Sequence, residues 1–311
     1  MSLPFLQSYL GLSNSLQTAQ GGAAPSGATR GVFGGKASPI SNVIDYITIA
    51  TTGNAIDFGD LTVGRAYLGG CASATRGLFG GGAVSAVQNV IDYVTIATPS
   101  NATDFGDITV ARKYITSCAS ATRGLFGGGY TNSNVIDYVT IATTGNAIDF
   151  GDLTVGRQYF SACASDTRGL FGGGNSASSS FNNVIDYVTI ATTGNAIDFG
   201  DLSVGRTYWG ACASATRGLF GGGYRASVTR SNVIDYVTIA TTGNATDFGD
   251  LTVAKNDFAS CASSTRGIFA GGSDGAATNA IDYVTIATTG NATDFGDLTV
   301  ARYGVAGCAG S

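Results

Sequence analysis

The chain is 311 residues long, with 47 glycines, 12% charged residues, no histidine, no glutamate and a formal charge of −5. Without imidazole there is no Ser-His-Asp triad, no Cys-His pair and no histidine metal site, and any carboxylate chemistry must use aspartate. Only 16 cations stand against 21 acids, a poor balance for neutralising phosphates, and no apolar run reaches the ~18–20 residues of a membrane helix, so neither nucleic acid nor a membrane is an expected partner.

The first 29 residues stand apart from the rest. LPFLQSYLGLSNSL carries Leu3, Phe5, Leu6, Tyr9, Leu10, Leu12 and Leu16, followed by the small-residue stretch TAQGGAAPSG. This reads as an apolar N-terminal arm on a flexible linker, a segment suited to docking on another protein.

From residue 30 onward one block recurs six times, in its full form ATRGLFGGG…NVIDYVTIATTGNAIDFGDLTVGR. Self-similarity of this kind decides the architecture before any local reading does. The opening Arg of each copy is Arg30, Arg76, Arg123, Arg168, Arg217 and Arg266. The Asp of IDY is Asp45, Asp92, Asp137, Asp186, Asp235 and Asp282. Each IDY Asp precedes the next opening Arg by the same interval, whereas the interval from Arg to Asp changes from copy to copy. All length variation therefore falls in one segment, which is also the most variable in sequence.

In chain order each copy predicts four short strands. In the second copy, AYLGGCAS (66–73) is small and apolar, RGLFGG (76–81) is apolar and closed by glycines, VIDYVTIA (90–97) is β-branched and aromatic, and TDFGDITV (103–110) is interrupted by Gly106. The Gly-Asn of TTGNA is a hairpin signal between the last two, and Gly59 in DFGD suggests a bend or bulge. No segment has the length and 3.6-residue period of a helix. Four strands per ~45–50 residues is the period of propeller blades. The first copy lacks its first strand, and the last segment, YGVAGCAGS (303–311), matches it. The expectation is an all-β, six-bladed propeller over residues 30–311, closed by strand 303–311 completing blade one.

Phe79-Gly80-Gly81, Tyr93, Phe105 and Arg112, with their equivalents in each copy, carry a resemblance to the kelch family of β-propellers. In this chain Phe replaces the usual Trp of the outer strand, and Ala270 stands where other copies have Gly. The resemblance implies the fold and a scaffold role, with little constraint on function.

Most charges sit at fixed repeat positions; the exceptions are Asp166, Asp257, Asp274, Lys36, Lys113, Arg225 and Arg230. Charges repeated six times read as structural: the opening Arg residues are expected to form partly buried pairs with the IDY and DFGD aspartates. The DFGD pairs also invite a calcium reading, but they lack the alternating ligands of an EF-hand, so no metal and no cofactor is expected. The six Cys, one per copy, read as small buried groups near the axis, too far apart to bridge. In a propeller the variable loops share one face. The two longest, 174–183 and 223–232, are expected to gather Phe181, Tyr224, Arg225 and Arg230 as aromatic and Arg anchors for a ligand.

With no unique cluster of acids or thiols apart from the repeats, an enzyme is not expected. Near-identical Gly/Ser/Thr/Asn-rich repeats with an apolar arm are similar in style to virion proteins of tailed phages. That likeness implies a non-enzymatic virion structural protein, such as a capsid decoration or tail component. Its partners would be capsid or tail proteins through the arm, and a host-surface glycan or protein through the loop face. The alternatives are a carbohydrate-binding propeller and an intracellular adaptor.

Overall fold

The structure, a computed structural model, describes residues 28–226 and 229–310. The apolar arm residues Leu3 to Leu16 lie outside the described residues.

Six antiparallel four-stranded sheets stand around a central axis. Blade two shows the pattern: Gly69–Ala72 innermost, then Arg76–Gly80, Val90–Thr95 and Thr103–Asp107 outermost. No helix occurs among the described residues. The predicted strands are present but shorter, the first at both ends and the other three at the C-terminal end. Residues 66–68 are not strand, because Tyr67 takes a left-handed conformation (φ 61°).

Blade one is assembled from both ends of the propeller. Its inner strand, Ala306–Gly310, pairs with Arg30–Lys36, setting Cys308 opposite Val32 and Gly307 opposite Phe33. Every inner strand therefore has two neighbours around the axis, and the ring has no loose end.

The core lies between blades. One cluster joins Cys71, Leu78, Ile91 and Phe105 of blade two to Phe126, Val139 and Ile141 of blade three. A four-stranded sheet has two apolar faces, and radial packing buries both. The glycines of the RG and FG steps make the close approach possible. A Cβ on Gly77 would lie 2.7 Å from Cys308 Sγ, and one on Gly80 would lie 2.6 Å from the Phe126 ring.

The outermost strand carries the expected bulge. Ile91 faces Gly106 and Asp92 faces Asp104, leaving Phe105 as the extra residue; its buried ring packs edge-on to Tyr93 at 6.0 Å. Gly106 is required there, since a Cβ would sit 2.5 Å from the Gly145 carbonyl of the next blade. The TTGN loop is thus more than a local hairpin. Asn146 Oδ1 accepts from the Asp107 amide of the preceding blade, and the other blade junctions repeat the bond through Asn54, Asn101, Asn195, Asn244 and Asn291. The aspartates of each DFGD leave charge along the exposed outer edge, which discourages strand addition from another molecule.

Candidate functional site

Two sixfold rings of polar contacts clasp neighbouring blades, and they divide the charged residues differently from the sequence expectation. The buried IDY aspartates pair with the cation that ends the DFGDLTVGR segment, not with the opening Arg. The pairs are Arg65–Asp92 (3.0 Å), Arg112–Asp137, Arg157–Asp186, Arg206–Asp235, Lys255–Asp282 (3.2 Å) and Arg302–Asp45, all of them buried. Each links one blade's end to the third strand of the next. Thr62 Oγ1 adds a bond to Asp92 Oδ1 at 2.6 Å, and Arg65 Nη2 donates to the Phe79 carbonyl at 2.9 Å. Burial pulls these cations below their ordinary values, with the paired carboxylates opposing it, and burial raises the Asp137 carboxyl.

The opening Arg residues do another job on the opposite face. Arg30 Nη1 donates to the Ile96 and Ala97 carbonyls at 2.9 and 2.7 Å, and its guanidinium lies 4.8 Å over the Tyr46 ring. Arg76, Arg123, Arg168 and Arg217 repeat the arrangement, and Arg266 closes the circle on the Ile49 carbonyl of blade one. Strand geometry explains the division. Side chains on the RGLFG strand reach the loops at the strand's start, while the IDY Asp lies mid-strand, within reach only of the segment that crosses from the previous blade.

Departures from sixfold equivalence concentrate at the mouth of the channel on the variable-loop face. At one repeat position the six copies carry Tyr67, Tyr114, Tyr159, Tyr208, Asp257 and Gly304. All six are left-handed, with φ between 56° and 68°. Tyr67 donates its amide to the Gly304 carbonyl, Tyr114 to Tyr67, Tyr208 to Tyr159, Asp257 to Tyr208 and Gly304 to Asp257, at 2.8–3.0 Å. This backbone girdle spans the mouth. Holding four tyrosines and an aspartate at positive φ is costly, and the interblade bonds over-determine it.

The side chains of the girdle are unequal. The Tyr67, Tyr114, Tyr159 and Tyr208 rings stand in an arc with centroids 4.6, 4.2 and 4.1 Å apart. The arc ends at Asp257, whose Oδ2 accepts from Asn256 Nδ2 at 2.8 Å, and at Gly304, which has no side chain. Burial raises the Asp257 carboxyl to about 7, with the bond from Asn256 and the charge of Arg230 opposing it. Burial also raises the Tyr67 hydroxyl to about 12 and moves Tyr114 and Tyr208 upward; the Asp257 charge adds to all three. Beneath the girdle lies a cavity of about 120 Å³, walled by Thr116, Ser117, Ser161, Trp209 and Ser260 among others. Ser117 Oγ and Trp209 Nε1 are buried there without a hydrogen-bond partner.

Of the anchors expected on the loop face, Tyr224 and Arg230 are drawn to this mouth. Tyr224 packs edge-on to Tyr208 at 6.2 Å, the Arg230 guanidinium lies 5.3 Å over Tyr224, and Arg230 Nε donates to Asn256 Oδ1 at 3.0 Å. Arg225 pairs across a short ladder with Arg206. Phe181, on the preceding blade's loop, has no ring contact or hydrogen bond joining it to these three among the described residues; its carbonyl packs against Gly205. The tyrosine girdle was not among the expected anchors. Its signal was available: aligning the six copies shows four Tyr, an Asp and a Gly in one column.

Further along the axis the six cysteines are buried and unbridged. Burial pushes the Cys118, Cys212 and Cys308 thiols up to about 12, so they are protonated and unreactive at neutral pH.

No protein-family model matches the sequence, and a search of curated proteins finds no match.

Proposed function

We propose that the chain is a non-enzymatic structural and binding protein of a virion, with kelch-like blades, fastened to a capsid or tail by its N-terminal arm. Its loop face meets a host-surface protein or glycan. The observation that carries this reading is where sixfold equivalence is kept and where it is lost. The repeated charges are consumed in clasps between blades, while unequal residues collect around one channel mouth. A rigid scaffold with a single distinctive face is a binding device, and the protonated thiols and paired carboxylates supply no activated nucleophile. The kelch-like and virion assignments rest on the repeat signature and on the arm.

Deleting residues 2–20 tests the attachment. The truncated propeller is expected to fold with an unchanged melting temperature and to be missing from purified particles. Normal incorporation would remove the role given to the arm. The tyrosine arc favours a second reading, a carbohydrate-binding propeller, because aromatic faces and hydroxyls suit sugar rings. Saturable binding of the isolated protein on a glycan array, without any particle, would favour it.

A further inference from the structure

We infer that the channel mouth binds one ammonium group, the side chain of a lysine presented by a partner protein. This rests on the loop face being the binding face. Three observations carry it. First, among the described residues Asp257 is the sole charged residue lining the cavity, so the site offers a cation one carboxylate and an anion no charged partner. Its Oδ1 accepts no hydrogen bond among the described residues, while Oδ2 is held by Asn256. Second, the arc is incomplete at this point. Tyr67 leans over Gly304, where even a Cβ would come within 3.0 Å of its ring, so the short Asp257 side chain leaves the remaining space beside Tyr208. An ammonium lying there meets a carboxylate, an aromatic face and phenolic oxygens together, a combination that favours desolvated cations. Third, the surrounding cations already use this chemistry. Lys113 Nζ lies 5.0 and 5.1 Å over the Tyr114 and Tyr130 rings, and Arg230 lies over Tyr224, and neither lines the cavity. Arg230 is instead tied to Asn256, which fixes the Asp257 carboxylate without neutralising it by direct contact. Unpartnered Ser117 Oγ lies in the wall of the cavity below the girdle.

The test uses the full chain and a lysine-containing peptide, followed by calorimetry and tyrosine fluorescence. One-to-one binding is expected, weakened at least about tenfold when the lysine Nζ is acetylated, since the charge is lost. Asp257→Asn should weaken it by a similar factor. Asn tolerates positive φ, so this variant keeps the girdle. Asp274→Asn, which removes the same charge from an exposed loop, should bind like the parent. Equal binding of the acetylated peptide, or full affinity in Asp257→Asn, would overturn the inference. So would n-butylammonium binding as tightly as the peptide, which would make this a site for small amines. If the double variant Tyr224→Ala/Arg230→Ala loses its particle or host target while the parent binds no lysine peptide, the loop-face reading stands and this inference fails.

Discussion

Asp257 and Asp186 show how burial gives two aspartates opposite roles. Asp257 has no cation in direct contact, and burial raises its carboxyl from an ordinary 3.8 to about 7. The folded protein then binds more protons than the unfolded chain between about pH 4 and pH 7, and stability contributed at this position falls as pH rises through that window. Of the groups facing it, Tyr67, Tyr114 and Tyr208 are themselves pushed upward, out of this window. The melting temperature of the parent should therefore fall relative to that of Asp257→Asn from pH 4 to pH 7.5; a constant difference would contradict the carboxyl's position. Asp186, by contrast, is fully buried against Arg157 and held by Thr154 Oγ1 at 2.6 Å. Asp186→Asn leaves a buried guanidinium uncompensated, at a cost of about 3–5 kcal/mol, whereas replacing both members with Met and Leu should cost less. Urea unfolding of the two variants checks the order.

Within a blade, the inner strands work by being small. Each Cys on an inner strand points at the RG glycine of the next blade, as Cys163 does at Gly218, where a Cβ would lie 2.8 Å from Sγ. Spacing between blades is set by this contact near the axis and by Phe rings seated over FG glycines further out. Gly218→Ala should destabilise by about 1–3 kcal/mol through overpacking. Cys163→Ala removes the clashing sulfur, so the double variant should recover part of that loss. A double-mutant cycle by thermal melts measures the coupling; strict additivity would show that the two residues do not define the spacing. The outer strands have the contrary task, and their bulge at Gly106 lets the TTGN loop of the next blade approach closely.

Across the whole molecule, stability depends on the circle being complete. Both rings of clasps cross the junction between blade six and blade one, through Arg302–Asp45 and through Arg266 on the Ile49 carbonyl. The inner strand Ala306–Gly310 supplies Ala309 to the same junction and Cys308 to the junction with blade two. Truncation before residue 303 exposes an unpaired strand edge at Arg30–Lys36 and uncovers the apolar faces on both sides. The melting temperature should fall by at least about 10 °C, with aggregation visible by size-exclusion chromatography, because several kcal/mol of apolar burial are lost. A truncated chain that stayed monomeric and melted normally would mean closure contributes little.

Blade number, strand order and closure could all be read from the chain, because β-branched and aromatic strand composition, turn glycines and a sixfold repeat are local or translational signals. Which cation meets which aspartate could not be read, because Arg65 and Asp92 lie 27 residues apart and meet only across a blade junction. The expectation of pairs with the opening Arg failed for that reason. The girdle was hidden for a related reason. Tyrosine carries no propensity for a left-handed backbone, and Tyr67, Tyr114 and Tyr208 adopt it where carbonyls from neighbouring blades arrive to hold them. Repetition alone determines a ring; the unequal site at its mouth exists only once six copies of one position are brought around a common axis.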